Sequence, residues 1–298
     1  MAERVGFIGL GVMGAPMARH VLTARYPLTV HSRSAPPVDA LVAEGAARAQ
    51  TPSAVAEASD VVITMVPDTP DVELVLFGEA GVAEGAAGGS LVIDMSTIDP
   101  IATRAFAERL ASNDVAMLDA PVSGGEVGAK AGTLSIMVGG TQEAFERARP
   151  LFEAMGSTIV HAGPSGAGQV TKACNQLVIA SALEAVGEAF VLAAKAGVDP
   201  AKVREALLGG FAGSKVLEVH GRRMLDRAFE PGFRSALMAK DGRIVLSAAE
   251  GFGAPIPGFR AVAERLQAML TAGRGDLDYA ALVTLLEDEA SVALHVEP

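Results

Sequence analysis

The sequence predicts an α/β fold with a doubly wound sheet, followed by an all-helical domain that a long helix joins to it. Three features of the 298 residues point to this organisation. In the first half, apolar runs of four to six residues alternate with helix-like stretches, as in a parallel sheet whose strands are buried on both faces. A glycine-rich turn directly follows the first run, and the strand-like runs stop near Pro164. We therefore expect one domain over residues 1–163 and a second over residues 164–298.

Six short apolar runs are the predicted strands of the first domain. They are Val5–Leu10, Leu28–His31, Val61–Val66, Leu91–Asp94, Met117–Ala120 and Leu134–Gly139. The stretches between them, such as Pro16–Ala24 and Ile101–Ser112, have the length and composition of helices. A strand, a helix and a parallel strand in succession form a right-handed βαβ unit, so this order predicts a doubly wound sheet.

The second domain begins with a long apolar stretch, Ala167–Gly197, which contains no proline and is followed by Pro200. A helix of about 30 residues extends over roughly 45 Å. Because the stretch is apolar on most sides, we expect burial around most of its circumference, with part of it in a homodimer or homotetramer contact. Four further stretches are predicted helices: Ala201–Leu208, Leu237–Ala249, Val262–Thr271 and Tyr279–Leu294.

The composition argues against several classes of protein and site. Half of the residues are hydrophobic, which excludes a disordered chain, and a net charge of −11 without a basic run argues against nucleic-acid binding. Cys174 is the single cysteine, so a disulfide framework is excluded, and the five histidines show no metal-ligand spacing. The first residues lack signal-peptide features, and no run of transmembrane length is free of charge or glycine. We expect a cytoplasmic protein with neither a metal nor a membrane partner.

A glycine-rich turn lies between the first predicted strand and the first predicted helix. Its sequence is Gly9-Leu10-Gly11-Val12-Met13-Gly14. In such a turn the first glycine permits the tight bend, the second lets a pyrophosphate approach the backbone, and the third lets helix and strand pack closely. The helix N-terminus adds N–H groups and a partial positive charge. This context predicts a dinucleotide site rather than an ordinary strand–helix turn.

The residues after the second strand bear on the choice of cofactor. They read Ser32-Arg33-Ser34, without a carboxylate. An acidic residue at this place accepts hydrogen bonds from the ribose of NAD, whereas an arginine suits the 2′-phosphate of NADP. The sequence therefore favours NADP, with NAD as the alternative if Arg33 is a solvated loop charge that stacks on adenine.

Two further strand ends belong to the same edge of the predicted sheet. Met65-Val66-Pro67 follows one strand, and Ser96-Thr97 follows the next. Ligands of doubly wound folds bind beyond the carboxyl ends of the strands, so these residues are candidates to line the nicotinamide half of the cofactor. For Ser96 and Thr97, a helix cap is the alternative.

Polar residues mark a candidate substrate site in two segments. Ser123-Gly124-Gly125 predicts a turn whose N–H groups form a small anion nest suited to a carboxylate, or else a plain turn. On the long helix, Lys172, Asn175 and Gln176 share one face by their spacing. Lys172 is a candidate catalytic residue, with a structural ion pair as the alternative. Cys174 points away from that face, and we expect it to be a small core residue rather than a nucleophile.

Four segments resemble the signature segments of the β-hydroxyacid dehydrogenases. They are Gly6–Leu22, Asp119–Gly140, Gly166–Gln176 and Met238–Asp241. The resemblance implies a Rossmann domain joined by a long helix to a helical domain, in dimers or tetramers. It further implies that Lys172 is the catalytic lysine and that Ser123, Gly124 and Gly125 bind the carboxylate of a small acid. Asn175 would orient that substrate, Lys240 and Asp241 would close over the cofactor, and Thr97 would touch the nicotinamide ribose.

Within this family, Gly209–Phe233 most resembles the branch that reduces tartronate semialdehyde to glycerate. The alternatives are a 3-hydroxyisobutyrate dehydrogenase, an imine reductase, or a non-catalytic dinucleotide-binding protein on the same fold. Three positions depart from the common family pattern: Gln176 replaces an asparagine, Gly242 replaces a leucine, and Ser32 replaces the acid of NAD-using members.

Overall fold

The computed structural model describes residues 3–294. The chain divides into two compact units, Met1–Lys172 and Ala173–Pro298. The division falls inside one long helix, so the domain boundary between residues 163 and 164 stays a prediction. The expectation of an α/β region followed by a helical region is confirmed.

The first unit is built on a single sheet, which has nine strands within the described residues. The strands are β1 (Val5–Ile8), β2 (Leu28–His31), β3 (Ala47–Arg48), β4 (Val61–Thr64), β5 (Leu91–Asp94), β6 (Ala116–Asp119), β7 (Val122–Ser123), β8 (Leu134–Gly139) and β9 (Gly156–Gly163). Their order is β3-β2-β1-β4-β5-β6-β8-β7, and β9 pairs with β8. Strands β1 to β6 are parallel, whereas β8 runs antiparallel to β6 and β7. The order reverses at β1, and open parallel sheets bind their ligands at such a switch point.

Eight helices connect these strands within the described part of the first unit. They are α1 (Gly14–Thr23), α2 (Ala35–Ala43), α3 (Pro52–Glu57), α4 (Thr69–Phe77), α5 (Val82–Gly85), α6 (Pro100–Ala111), α7 (Gly125–Ala131) and α8 (Gln142–Met155). The side chain of the preceding residue caps several of them, as Asp99 does for α6 by accepting from the N–H groups of Ile101 and Ala102. The helices cover both faces of the sheet, so β1, β4 and β5 are buried along their whole length.

Helices α9 to α14 build the second unit, and α9 begins in the first. Their bounds are α9 (Ala167–Lys195), α10 (Pro200–Leu208), α11 (Lys215–Leu225), α12 (Ser235–Gly251), α13 (Pro257–Thr271) and α14 (Val283–Ala290). The predicted helix Tyr279–Leu294 is instead a 3-10 turn, Tyr279–Leu282, followed by α14, which ends at Ala290; the next residue, Ser291, has the left-handed conformation. Helix α11 was not predicted. The core of this unit contains Leu183 and Phe190 of α9 together with Leu217 and Met224 of α11.

Helix α9 is less buried within the chain than its composition predicts. Val178 is 62% exposed and Leu192 is 71% exposed. Cys174 is also exposed, so the expectation that it is a core residue is wrong. By length and composition alone α9 could cross a membrane, but this is weak evidence because the core helix of a soluble protein has the same properties.

Candidate functional site

The glycine-rich turn of the first unit joins β1 to α1 and depends on two close approaches. Gly9 has φ of +96°, and a Cβ atom there would overlap the carbonyl oxygen of Met65. A Cβ atom at Gly14 would overlap the carbonyl oxygen of Gly9. These positions therefore require glycine, which explains why β1 ends at Ile8 and α1 begins at Gly14.

Gly11 differs from the other two glycines because its surroundings are open. A Cβ atom built on Gly11 meets no atom within 4 Å. The backbone at this position therefore faces space that a ligand can approach, at the N-terminal end of a helix. This combination fits the pyrophosphate of a dinucleotide, with Leu10, Val12 and Met13 supplying the rest of the turn.

The end of β2 is joined to this turn through Ser32. Its hydroxyl oxygen accepts a hydrogen bond from the N–H of Leu10 at 3.3 Å. The next side chain, Arg33, is 82% exposed and lies 3.6 Å from a carboxylate oxygen of Asp71, so their ion pair is weak. Sequence reasoning missed Asp71, which lies about 40 residues away in the chain, in the first turn of α4. Arg33 is therefore accessible to an anionic ligand beside Ser34.

The loops after β4 and β5 are tied together by Ser96. Its hydroxyl oxygen accepts from the N–H of Val66 at 2.9 Å, while Asp99 caps helix α6. Ser96 therefore does not cap α6, and the alternative considered for it is wrong. The bond holds the segment Met65-Val66-Pro67 beside the loop that contains Thr97, at the carboxyl edge of the sheet.

A buried carboxyl group lies beneath these loops. Asp94, the last residue of β5, accepts from the hydroxyl of Thr64 at 2.7 Å and from the N–H of Ser96 at 3.2 Å. Burial raises the pKa of Asp94 to about 6. Sequence reasoning missed its role, although an acidic residue at the end of an apolar run is a visible signal that burial will need hydrogen-bond partners.

The Ser123-Gly124-Gly125 segment forms a turn between β7 and α7. Gly124 has φ of +134° and Gly125 has φ of +60°, both in the region that favours glycine. Ser123 is half-buried at the end of β7. The turn has the backbone conformation that the sequence requires, and its role in carboxylate binding stays a prediction.

The carboxylate of Asp119, the last residue of β6, binds backbone N–H groups at the start of helix α9. One oxygen accepts from the N–H of Gly166 at 2.7 Å, and the other accepts from the N–H of Gln169 at 2.8 Å. Burial raises the pKa of Asp119, while these backbone hydrogen bonds lower it. Lys172 is buried one turn after Gln169 on the same helix. Asp119 and Gln169 were not among the predicted site residues.

In the second unit, four of the predicted residues form one polar network. The side-chain nitrogen of Asn175 donates to the side-chain oxygen of Gln176 at 2.8 Å. The side-chain nitrogen of Gln176 donates to one carboxylate oxygen of Asp241 at 2.5 Å. The other oxygen of Asp241 lies 2.9 Å from the ammonium group of Lys240. Gln176, Lys240 and Asp241 are all buried. The structure therefore links residues that lie about 65 positions apart, which their spacing could not show.

Gly242 follows this network in α12, where it is buried. A Cβ atom there would lie 3.2 Å from a methyl group of Leu266 on α13. Helices α12 and α13 therefore pack closely at this point, and a leucine at residue 242 would require Leu266 to move. A glycine at residue 242 fits this close packing.

No group of three or more histidine, cysteine, aspartate or glutamate residues that could hold a metal ion occurs within residues 3–294. One of the five histidines, His295, lies outside the described residues.

Comparison with known proteins matches both parts of the chain to dehydrogenase families. Residues 4–163 match the NAD-binding domain of 6-phosphogluconate dehydrogenase. Residues 166–286 match the NAD-binding family of NADP-dependent 3-hydroxyisobutyrate dehydrogenase.

Three individual proteins resemble the chain over nearly its whole length. The 2-hydroxy-3-oxopropionate reductase of Escherichia coli (strain K12) is 47% identical over 95% of this chain and 97% of its own. The NAD-dependent L-serine dehydrogenase of Pseudomonas aeruginosa is 38% identical over 96% of this chain and 98% of its own. The solved structure of Mycobacterium tuberculosis 3-hydroxyisobutyrate dehydrogenase with L-serine has a TM-score of 0.89 and 34% identity, over 96% of this chain and 99% of the other.

Proposed function

Because the chain belongs to the β-hydroxyacid dehydrogenase family, we propose that it is an NADP(H)-preferring reductase of a small semialdehyde acid, with tartronate semialdehyde as its substrate. The observation that carries the proposal is the buried Lys172 at the start of α9, followed on the same helix by Asn175 and Gln176. An amine in this position can donate a proton to a substrate oxygen or accept one from it.

The first unit provides the binding site for the nicotinamide dinucleotide. The turn Gly9–Gly14 would hold the pyrophosphate, and Met65, Val66, Pro67 and Thr97 would lie along the nicotinamide half. When bound, this cofactor supplies the hydride. The preference for NADP rests on the accessible guanidinium of Arg33 and on the hydroxyl groups of Ser32 and Ser34, in a place where NAD-binding chains carry an acid.

Lys172 is the proposed general acid. In reduction its ammonium group donates a proton to the developing alkoxide oxygen of the substrate, and in oxidation the neutral amine takes that proton back. The Ser123–Gly125 turn holds the substrate carboxylate, which fixes the carbonyl carbon for reaction. Within the second unit, Lys240 and Asp241 form a network with Gln176, and their role at the cofactor stays a prediction.

We infer the substrate from the polar side chains that could form a hydrogen bond with the hydroxyl group that tartronate semialdehyde carries beside its aldehyde. Tartronate semialdehyde carries a hydroxyl where the 3-hydroxyisobutyrate skeleton carries a methyl, and a site built to pair that hydroxyl rejects the methyl analogue. Gln176 uses both ends of its amide within the chain, toward Asn175 and Asp241. We therefore assign the pairing to the hydroxyl of Ser123 rather than to Gln176.

The substrate test compares kcat/KM in the oxidation direction for D-glycerate, L-glycerate and both enantiomers of 3-hydroxyisobutyrate. A glycerate enantiomer should be the better substrate. A tenfold or greater preference for a 3-hydroxyisobutyrate enantiomer over both glycerates would identify a 3-hydroxyisobutyrate dehydrogenase instead. Turnover of an imine without a carboxylate, in the absence of turnover of any of these acids, would identify an imine reductase.

The catalytic test uses two lysines of the same helix. Lys172→Ala should reduce kcat by about 10²- to 10⁴-fold, the range for a lost general acid, without weakening NADPH binding. Lys195→Ala is the matched control, because Lys195 is exposed near the other end of α9 and donates to the carbonyl oxygen of Ala290. If Lys172→Ala keeps more than a tenth of wild-type kcat with chemistry rate-limiting, Lys172 is structural.

A further inference from the structure

Gln169, in the first turn of α9, is 1% exposed, and each polar atom of its side chain makes a hydrogen bond. Its amide oxygen accepts from the N–H of Ile98 at 3.1 Å. Its amide nitrogen donates to the carbonyl oxygen of Ser96 at 2.8 Å. These two backbone groups stand on either side of Thr97, so one planar amide holds the main chain before and after this residue.

The backbone of Gln169 is fixed as well. Its N–H donates to the carboxylate of Asp119 at the end of β6. The neighbouring Gly168 is so close to the sheet that a Cβ atom there would overlap the carbonyl oxygen of Met137 in β8. Gln169 is therefore held at one end by the sheet and at the other by the loop after β5, and it has little freedom to shift.

The loop after β5, to which the Gln169 side chain binds, also forms hydrogen bonds with the sheet and with the loop after β4. The N–H of Ser96 donates to Asp94, and its hydroxyl oxygen accepts from the N–H of Val66. The hydrogen bonds of Gln169 thus connect α9 to a loop that is already anchored to β4 and β5. Lys172 follows three residues later on α9, a rise of about 4.5 Å along the helix. The position of Lys172 relative to Thr97 is therefore set through Gln169.

We propose that Gln169 is a positioning residue that fixes the general acid Lys172 relative to the loop of Thr97 on the nicotinamide side of the site. This inference deepens the proposed function and rests on it. Gln169 touches no reacting atom and transfers no proton. It acts by keeping the proton donor and the cofactor loop in one arrangement, because a displacement of about 1 Å between reacting groups is enough to lower a rate by about 100-fold.

The first test replaces Gln169 with methionine, which has a similar length and makes neither hydrogen bond. Gln169→Met should lower kcat about 100-fold and change the Kd for NADPH by less than about threefold. With NADPH deuterated at the transferred position, the isotope effect on kcat should rise, because hydride transfer becomes slower than product release. Ser59→Ala is the control, since it removes another buried hydrogen bond of the same unit, from the Ser59 hydroxyl to the carbonyl oxygen of Val55, far from α9 in the sequence. Its kcat should stay within about twofold of wild type.

A second variant decides the matter if Gln169→Met does not fold. In Gln169→Glu, a protonated carboxyl group can still accept from Ile98 and donate to Ser96, whereas the ionised group repels the Ser96 carbonyl oxygen. A buried carboxyl group keeps its proton to a higher pH than an exposed one. The ratio of variant to wild-type kcat should therefore fall at least tenfold between pH 6 and pH 9, with both proteins folded throughout.

The outcomes separate this inference from the proposed function. If wild type turns over none of the small hydroxy acids, the proposed function fails before any variant is measured. If wild type is active and Lys172→Ala is not, but Gln169→Met keeps kcat within threefold or Gln169→Glu gives a flat ratio, the positioning role alone is wrong. A loss of NADPH affinity in Gln169→Met without a change in kcat would likewise overturn it, in favour of a role in cofactor binding.

Discussion

Replacing Glu184 with glutamine should stabilise the helical unit at pH 8 and leave its stability nearly unchanged at pH 4.5. Glu184 lies in the middle of α9 and is 6% exposed. One carboxylate oxygen is 3.3 Å from the guanidinium of Arg265, and the other is buried without a hydrogen-bond partner among residues 3–294. Burial raises the pKa of Glu184 to about 7; the charge of Arg265 lowers this pKa, and the charges of Glu188 and Glu289 raise it.

The sign of the effect follows from proton binding. The unfolded chain releases the Glu184 proton near the ordinary value of 4.5, whereas the folded chain keeps it to about 7. Between these values the folded state binds more protons, so the free energy of unfolding decreases as pH rises through this window and is level above it. The difference between the two pKa values corresponds to about 3 kcal/mol as an upper limit. Glutamine resembles the protonated carboxyl group, so Glu184→Gln should recover most of this loss at pH 8.

The measurement is urea unfolding at both pH values, monitored by circular dichroism because the chain has no tryptophan whose fluorescence could report unfolding. Glu289→Gln is the control. Glu289 binds the same Arg265, but it is exposed and Arg265 lowers its pKa, so its replacement should cost at most about 1 kcal/mol at pH 8. If Glu184→Gln changes the free energy of unfolding equally at pH 4.5 and pH 8, the explanation by burial is wrong.

Three further outcomes are expected. Wild type should have the higher kcat/KM with NADPH, and Ser32→Asp combined with Arg33→Gln should shift the preference toward NADH; a wild type that prefers NADH would contradict the assignment. Gly14→Ala should lower both Tm and NADPH affinity because its methyl group overlaps the Gly9 carbonyl, whereas Gly11→Ala should keep its Tm and lose affinity alone; equal Tm losses in the two variants would refute this distinction. Light scattering at micromolar concentration should show a particle of at least two chains of 30.4 kDa, and a 30.4 kDa particle would exclude the oligomer.

The sequence predicted the strands that are buried on both faces and missed those at the periphery. Strands β4 and β5 are fully buried, so selection for apolar side chains leaves a continuous run in each. Strand β9 alternates between partly buried and exposed residues, and β3 consists of two exposed ones. Neither leaves a hydrophobic pattern, because an edge strand needs only backbone partners to form.

The candidate site was predictable where neighbours in sequence act together and not where distant segments meet. The glycine turn follows from local backbone geometry, so its positions could be predicted one by one. Asp94 and Asp119 each stand at the end of an apolar run, and the register pairs them on adjacent strands, β5 and β6. Their hydrogen bonds to Ser96, Gly166 and Gln169 depend on how the loops return to the sheet, and residue spacing contains no information about that.

For the long helix, the sequence predicts that apolar faces are buried but not what buries them. Hydrophobic periodicity records which faces of a helix avoid water, but it does not record whether the same chain or another copy covers them. Helix α9 is apolar on nearly all sides, yet Val178 and Leu192 remain largely exposed within the chain. Val178 and Leu192 lie about four turns apart on this helix, and single exposed apolar residues are ordinary on a protein surface, so their exposure alone does not identify what covers α9. Cys174 is exposed on the same helix, so its predicted burial and the predicted oligomer depend on the same question, whether a second copy covers α9, which the light-scattering measurement answers.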